Sequence, residues 1–146
     1  MKNKQYNIVI VVSEFNKLIS DALLDGAKRS FIDNKGGLLK IYTVPGAFEI
    51  ASTVKVAAEE LKPDAIVTLG SVIRGETKHF DFISAECARS IQNLTLNLGV
   101  PVMFGVLTTE NVKQAMDRAQ TKDKGYEVMS GAFKMIDTFK EIKESS

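Results

Sequence analysis

The sequence contains a single histidine, His79, in a segment rich in glycine and polar side chains. Imidazole titrates near neutral pH, so it can transfer protons under physiological conditions. A lone histidine at the amino end of a helix is more often an ordinary surface residue, and that interpretation would be preferred without the glycine and polar residues around it. In this setting His79 is a candidate for proton transfer.

The residues just before this histidine could bind an anion. Gly75, Glu76 and Thr77 precede a predicted helix, whose free backbone amides and dipole attract negative charge such as that of a phosphate. The alternative is an ordinary turn, and Glu76 would repel an anion if its side chain pointed inward. Arg118 is a second candidate for binding a phosphate or carboxylate, although it and the nearby Lys124 could belong to a solvated loop.

Three phenylalanines, Phe15, Phe48 and Phe104, could sandwich a flat heterocycle between aromatic rings. Phenylalanine is more often a core residue, but Phe15 lies in a polar loop where a core residue is less expected. Glu49 could accept hydrogen bonds from a polyol or an amine, or it could be a simple exposed carboxylate in the first turn of a helix.

The elements that must position these residues alternate along the chain. Four segments are predicted to be strands; they are Tyr6 to Val12, Leu38 to Val44, Ala65 to Leu69 and Pro101 to Leu107. The first is a nearly continuous β-branched apolar run, which is typical of a strand buried on both faces in a parallel sheet. Apolar residues at helical spacing mark Ile19 to Phe31, Ala47 to Leu61, Ile83 to Leu98, Glu110 to Ala119 and Val128 to Phe139. Right-handed crossovers predict an α/β fold, a four-stranded parallel sheet with helices on both faces in a flavodoxin-like three-layer sandwich, with the strand order left open.

Open parallel sheets bind ligands beyond the carboxyl ends of their strands, which is where these candidates are expected to meet. The longest segment there is the predicted loop from Gly70 to His79, and Thr108 or Thr109 is expected to cap the helix after the fourth strand. The residues by themselves therefore predict a small-molecule enzyme or binder with a phosphate pocket, aromatic stacking and one histidine.

The last predicted helix carries two apolar residues, Met129 and Phe133, beside its main apolar stripe. One face of a small sheet rarely needs so wide an apolar surface. A subunit interface and a wide contact within the core explain the surplus equally well.

The bulk properties exclude several classes. A chain of 146 residues is expected to form a single domain, residues 1–146. The net charge of +1, with lysines scattered among acidic residues, argues against nucleic acid and anionic membranes as partners. Cys87 is the only cysteine, so the chain lacks an intramolecular disulfide and the usual cysteine and histidine ligands of zinc. Met1 to Asn7 is short and polar, without a visible targeting segment, which predicts a cytoplasmic protein.

Four blocks of the sequence form a more specific pattern. They are Ser13-Glu14-Phe15-Asn16, Pro45-Gly46-Ala47-Phe48-Glu49, Val72-Ile73-Arg74-Gly75-Glu76-Thr77 with His79-Phe80-Asp81, and Phe104-Gly105-Val106-Leu107-Thr108-Thr109. In this order they resemble the lumazine synthases over nearly the whole chain. The resemblance implies an enzyme that joins 5-amino-6-ribitylaminouracil to 3,4-dihydroxy-2-butanone 4-phosphate, giving 6,7-dimethyl-8-ribityllumazine, phosphate and water without a cofactor or metal.

The resemblance also assigns roles to individual residues. Those that contact the pyrimidine substrate would be Phe15, Ala47, Phe48, Glu49, Ser71, Val72 and Ile73. Glu76 and Thr77 would hold the phosphate mainly through backbone amides, and His79 would transfer protons. The residues that the family places on the neighbouring subunit's side of the pocket are Phe104, the phosphate-binding Arg118, and Lys124. The implied partners are the two substrates, further copies of the chain in a homopentamer or an assembly of pentamers, and riboflavin synthase.

One loop departs from the family. Thr121 to Gly125 lacks two residues of the usual Thr-Lys-Ala-Gly-Asn-Lys-Gly loop, which is associated with whether pentamers stop or form sixty-subunit shells. This leaves the higher assembly and the placement of Lys124 open. Ser71 replaces the commoner threonine or cysteine. The competing functions are a non-catalytic binder of lumazine or flavin, and a related enzyme that dismutates lumazine to riboflavin.

Overall fold

The computed structural model describes residues 5–146, which form a four-stranded, all-parallel sheet flanked by helices. The strands are β1 (Ile8–Ser13), β2 (Leu39–Val44), β3 (Ala65–Ile73) and β4 (Val102–Thr109). The helices are α1 (Lys17–Asp33), α2 (Ile50–Leu61), α3 (Phe80–Leu98), α4 (Val112–Met116) and α5 (Lys124–Glu144). Short 3-10 turns, Ala47–Glu49 and Arg74–Glu76, precede α2 and α3, and a π-helical turn, Asp117–Thr121, follows α4. The strand order is β2-β1-β3-β4, and the predicted three-layer α/β fold is confirmed.

The sheet separates two hydrophobic cores. β1 and β3 lie in the middle with all their residues buried, whereas β2 and β4 form partly exposed edges. Because side chains alternate along a strand, Ile10 packs into the core shared with α1 and α5, and Val11 into the core shared with α2 and α3. Fully burying a side chain of this kind stabilises the fold by about 1.5–3 kcal/mol. The two nearly continuous apolar runs therefore form the central strands, β1 and β3.

β3 is longer than the sequence predicted. It runs to Ile73 instead of ending at Leu69, and its last residues pair with the end of β4. Gly70 lies inside the strand because the chain approaches β1 closely there, and a methyl group on Gly70 would collide with Oγ of Ser13. The predicted loop from Gly70 to His79 is therefore wrong for its first four residues.

The cap of α4 also differs from the prediction. Asn111, and neither Thr108 nor Thr109, caps the helix, because its Oδ1 accepts a hydrogen bond of 2.8 Å from the amide of Gln114. Both threonines stay in β4, and the hydroxyl of Thr109 donates to the carbonyl of Asn111 at 2.9 Å. Continued pairing with β3 holds the threonines in the sheet, so the helix begins later.

The wide apolar face of α5 is explained by the core. Met129 and Phe133 are 0% and 7% exposed. α5 packs along α1 as well as the sheet, and a methyl group on Gly125 would collide with the carbonyl of Leu23. The ring of Phe133 also lies 5.9 Å from that of Phe31. A helix that covers both a sheet and another helix needs a wider apolar stripe, so the core interpretation of these two residues is confirmed and the interface interpretation is wrong.

The structure describes the chain from Gln5 onward. The predicted absence of a targeting segment in Met1 to Asn7 therefore falls mostly outside the described residues. Across residues 5–146, no helix combines the length and the apolar character needed to cross a membrane.

Candidate active site

A cleft of about 360 Å³ opens at the carboxyl ends of the strands, where parallel sheets bind ligands. It is lined by the segments that follow β1 and β2, by the end of β3 and the turn after it, and by the first turn of α3. The lining residues are Phe15, Pro45, Gly46, Ala47, Phe48, Glu49, Ser71, Val72, Glu76, Thr77 and Ile83. The sequence predicted these as substrate-binding residues with three exceptions. Ile83 was predicted only as part of a helix, and Pro45 and Gly46 appeared only in a block that resembles the family.

Two aromatic rings of the cleft are accessible to a ligand. Phe15, in the loop after β1, is half-buried. Phe48 is 58% exposed, and its ring lies 6.3 Å from that of Phe82 of α3, at an interplanar angle of 30°. A flat ligand stacked on either ring would remove apolar surface from water.

Glu49 is held at the start of α2 by the backbone. The amide of Gly46 donates a hydrogen bond of 2.9 Å to Oε1 of Glu49, the glutamate half of a capping box, and the amide of Glu49 donates to the carbonyl of Gly46 at 3.2 Å, which closes the 3-10 turn. Among the described residues the second carboxylate oxygen has no hydrogen-bond partner, and the side chain is exposed. That oxygen can therefore accept hydrogen bonds from a polyol or an amine.

The segment expected to bind phosphate lies at one end of the cleft. Glu76 and Thr77 line the cleft, and α3 begins three residues after Thr77, at Phe80. Nothing lies within 4 Å of a methyl group placed on Gly75, so the space above this glycine is open. The backbone here is free of steric obstruction, as close approach by an anion requires.

His79 lies beside the cleft instead of inside it. It occupies the N-cap position of α3, is exposed, and lines an adjoining hollow of about 310 Å³. Thr77 borders both the hollow and the cleft. An imidazole at this junction can reach a ligand that extends past Thr77.

The end of β3 contributes mainly backbone to the site. Ile73 is fully buried in the core against α1 and α5 and does not line the cleft. Ser71 lines the cleft, yet its Oγ is buried and has no hydrogen-bond partner among the described residues. Any contact of a ligand with these two residues would therefore use main-chain groups. Val72, between them, also lines the cleft, and its side chain packs in the core on the other side of the sheet, against α2 and α3.

Three further predicted site residues, in addition to Ile73 and His79, do not line the cleft of their own chain. Phe104 is 40% exposed on the edge strand β4. Arg118 donates a hydrogen bond of 3.3 Å from Nη1 to the carbonyl of Thr108, at the end of the same strand. Lys124 opens α5 and pairs with Glu127 at 3.1 Å. The edge strand β4 and the chain that follows it therefore carry these residues away from the cleft.

Arg74 is a site-bordering residue that sequence reasoning did not single out. Its Nε pairs with Glu110 at 2.9 Å, and its guanidinium carbon lies 4.5 Å from the centre of the Phe80 ring. The available signal was its place in the block of residues 72–77 before the histidine. Its partner Glu110 is thirty-six positions away in sequence, so the ion pair could not be predicted from the chain alone.

The described part of the chain offers no metal centre. Within residues 5–146, no three histidine, cysteine, aspartate or glutamate side chains lie close enough together to hold a metal ion.

Comparison with known proteins places the chain in a family. The family model for 6,7-dimethyl-8-ribityllumazine synthase matches residues 5–140. The protein of that name from Nautilia profundicola is 46% identical over 139 residues, which cover 92% of this chain and 90% of the relative. Those of Campylobacter hominis and Helicobacter hepaticus are 44% and 45% identical, and the aligned regions cover 93% and 92% of this chain and 90% and 89% of the relatives. The chain therefore belongs to the 6,7-dimethyl-8-ribityllumazine synthase family.

Proposed function

We propose that this protein is a transferase that condenses 5-amino-6-(D-ribitylamino)uracil with 3,4-dihydroxy-2-butanone 4-phosphate to 6,7-dimethyl-8-ribityllumazine, the penultimate step of riboflavin biosynthesis. The observation that carries the proposal is the set of residues that line one cleft in a chain of this family. Two aromatic rings and a carboxylate lie at one end, and the segment proposed to bind phosphate lies at the other, beside the only histidine.

The aromatic end of the cleft takes the pyrimidine. Phe15 stacks on the ring, and Phe48 and Ala47 cover its edge and the start of the ribityl chain. The free oxygen of Glu49 accepts hydrogen bonds from ribityl hydroxyls, while Oε1 remains bound to Gly46. Backbone groups of Ser71, Val72 and Ile73 orient the heterocycle.

The other end takes the sugar phosphate. Backbone amides of Glu76 and Thr77 bind phosphate oxygens, so the carboxylate of Glu76 can point to solvent, where its residue is exposed. This places the ketone of the sugar next to the amine of the pyrimidine.

Proton transfers complete the reaction. The amine attacks the ketone and water leaves, forming an imine; loss of phosphate then gives an enol, which tautomerises to a second ketone. The ribityl-bearing nitrogen attacks that ketone and a second water leaves, closing the ring. His79 accepts and returns the protons of these steps. Much of the rate enhancement comes from holding the two reactants together, since imine formation needs little catalysis.

The complete site lies between two subunits. Phe104, Arg118 and Lys124 lie outside their own chain's cleft and supply the missing wall and the positive charge for the phosphate of a neighbour's site. Such head-to-tail sharing closes into a ring, here a homopentamer, alone or in an assembly of pentamers. The proposal also places the protein in the cytoplasm and includes riboflavin synthase, the enzyme that uses the product, as a partner.

Phosphate release tests the chemistry. With both substrates present, we expect one inorganic phosphate for each lumazine formed, and with the sugar phosphate alone we expect release no faster than in buffer, because the imine must form first. Rapid release without the pyrimidine would show a different reaction and contradict the proposal.

A further inference from the structure

The side chain of Arg74 connects three segments around the proposed phosphate end of the cleft. Its Nε binds Oε1 of Glu110 at 2.9 Å, and its Nη2 lies 3.4 Å from Oδ1 of Asp81. The guanidinium also stacks over the ring of Phe80 at 4.5 Å. One planar group thus contacts two carboxylates and an aromatic face simultaneously, which arginine can do and lysine cannot.

These partners belong to different elements of the fold. Glu110 follows β4, and Phe80 and Asp81 form the first turn of α3. Arg74 itself begins the 3-10 turn that leads through Glu76 to the phosphate-binding residues. The guanidinium therefore ties the end of β3 to the loop after β4 and to the start of α3.

We propose that Arg74 is a positioning residue for the sugar phosphate: it holds the phosphate-binding segment, residues 75–79, in its binding geometry by anchoring it to Glu110 and Asp81. The proposal rests on the proposed function of this cleft. It concerns only the geometry of the phosphate end of the cleft and predicts no effect of Arg74 on the aromatic end.

Two features favour a positioning role over direct phosphate binding. Nε and Nη2 already bind carboxylates, which holds the guanidinium between Glu110 and Asp81. Glu110 and Asp81 would also repel a dianionic phosphate near Thr77 and His79 if their charges were not neutralised. Arg74 supplies that neutralisation while it fixes the segment.

The expected effects are modest because the Arg74 side chain is half exposed, and exposed ion pairs are weak. For Arg74→Gln, we expect the KM for the sugar phosphate to rise about threefold to tenfold, with the KM for the pyrimidine and kcat within about twofold of wild type. Arg74→Lys retains the charge but not the planar contacts, so its KM for the sugar phosphate should lie between those of wild type and Arg74→Gln. Glu110→Gln should reproduce part of the change, and in the double variant the two effects should not add.

Arg89→Gln is the matched control, because Arg89 is also an exposed arginine that pairs with a glutamate of α3, Glu86, but does not border the cleft. It should leave all three kinetic constants unchanged. Equal effects of Arg74→Gln on both KM values, or no difference from Arg89→Gln, would overturn the positioning role.

A second measurement needs no catalysis. His79 is the only histidine, so its Cε1–H group gives one unambiguous NMR signal after histidine labelling. Arg74→Gln should shift or broaden that signal in the free protein, whereas Arg89→Gln should not. If wild-type protein made no lumazine, the proposed function would be wrong, but this signal would still test whether Arg74 holds residues 75–79 in place. An unchanged signal in Arg74→Gln would refute that role.

Discussion

The amide of Gly46 and Oε1 of Glu49 are joined by a hydrogen bond of 2.9 Å across the 3-10 turn that opens α2. This bond fixes the glutamate at the rim of the cleft and leaves its second oxygen for a ligand. The same carboxylate therefore has a structural role and, in the proposed function, a binding role, and two substitutions can separate them.

Glu49→Gln retains an oxygen acceptor for Gly46 but loses the charge, whereas Glu49→Ala loses both. We expect both variants to raise the KM for the pyrimidine, and Glu49→Ala alone to lower the free energy of unfolding, by about 0.5–2 kcal/mol as for other lost caps. Denaturant unfolding and steady-state kinetics measure the two effects. Glu59→Gln, at an exposed ion pair with Lys55, is the control; an unchanged pyrimidine KM in Glu49→Ala would exclude Glu49 from the site.

His79→Ala should slow turnover without abolishing it. General acid and base groups typically contribute about 10²–10⁴-fold, and we expect about 10²-fold here because binding both reactants supplies much of the rate enhancement. The measurement is kcat for lumazine formation at saturating substrates, compared with the spontaneous reaction. A correctly assembled His79→Ala protein no faster than buffer would contradict this division of roles.

Mixed oligomers test whether sites are shared. Phe15→Ala damages the cleft, and Arg118→Ala damages the side that we assign to the neighbour. If chains of both variants are unfolded together in equal amounts and reassembled, about one quarter of the sites should receive both intact sides, with activity well above either variant alone. Activity equal to the mean of the two separate variants would place the complete site within one chain.

The contact between Ser13 and Gly70 makes a prediction about stability. Gly70→Ala would drive a methyl group into Oγ of Ser13 and should destabilise the protein by about 1–3 kcal/mol. Ser13→Ala should change stability little, because this buried hydroxyl has no hydrogen-bond partner among the described residues. The double variant should recover most of the loss in denaturant unfolding. An equal loss in Gly70→Ala with and without Ser13→Ala would mean that the backbone, not the hydroxyl, opposes the methyl group.

Cys87 makes the fold sensitive to alkaline pH. Burial raises the pKa of its thiol from 9.0 to about 11, so the unfolded chain loses this proton at a lower pH than the folded chain. This contribution to stability is present below about pH 9 and declines as the pH rises toward 11. Tyr6, whose pKa is raised to about 12 mainly by its hydrogen bond to Asp137, acts in the same direction at higher pH.

Cys87→Ala should therefore flatten, but not remove, the fall in unfolding free energy between pH 9 and pH 11. Unfolding curves of both proteins at pH 7, 9 and 10.5, values chosen about the interval in which the thiol titrates, provide the comparison. Identical slopes would show that the thiol is not protected by the fold.

The sequence predicted the layers of the fold because apolar periodicity reports burial directly. It predicted the cleft because the carboxyl ends of parallel strands meet, which brings Phe15, Phe48 and Thr77 together from three separate segments. It could not show that β3 continues through Gly70, since glycine within a strand depends on a neighbour such as Ser13.

Tertiary packing decided the remaining features. Met129 lies in the core because α1 packs along α5, a contact that helix periodicity alone cannot reveal. The role of Arg74 depends on Glu110, thirty-six positions away in sequence. The proposed role of Phe104 depends on a neighbouring subunit. Residue type predicted an aromatic contact with a ligand, and only the family resemblance implied that the contact is made in a neighbour's site.

Lumazine formation tests the central claim most directly. Purified protein is mixed with 5-amino-6-(D-ribitylamino)uracil and 3,4-dihydroxy-2-butanone 4-phosphate, and the absorbance of the product is followed against the spontaneous reaction in buffer. We predict a protein-dependent rate that saturates with each substrate and is strongly reduced in Phe15→Ala. A rate equal to that in buffer, together with tight binding of lumazine, would contradict the account and identify the protein as a binder.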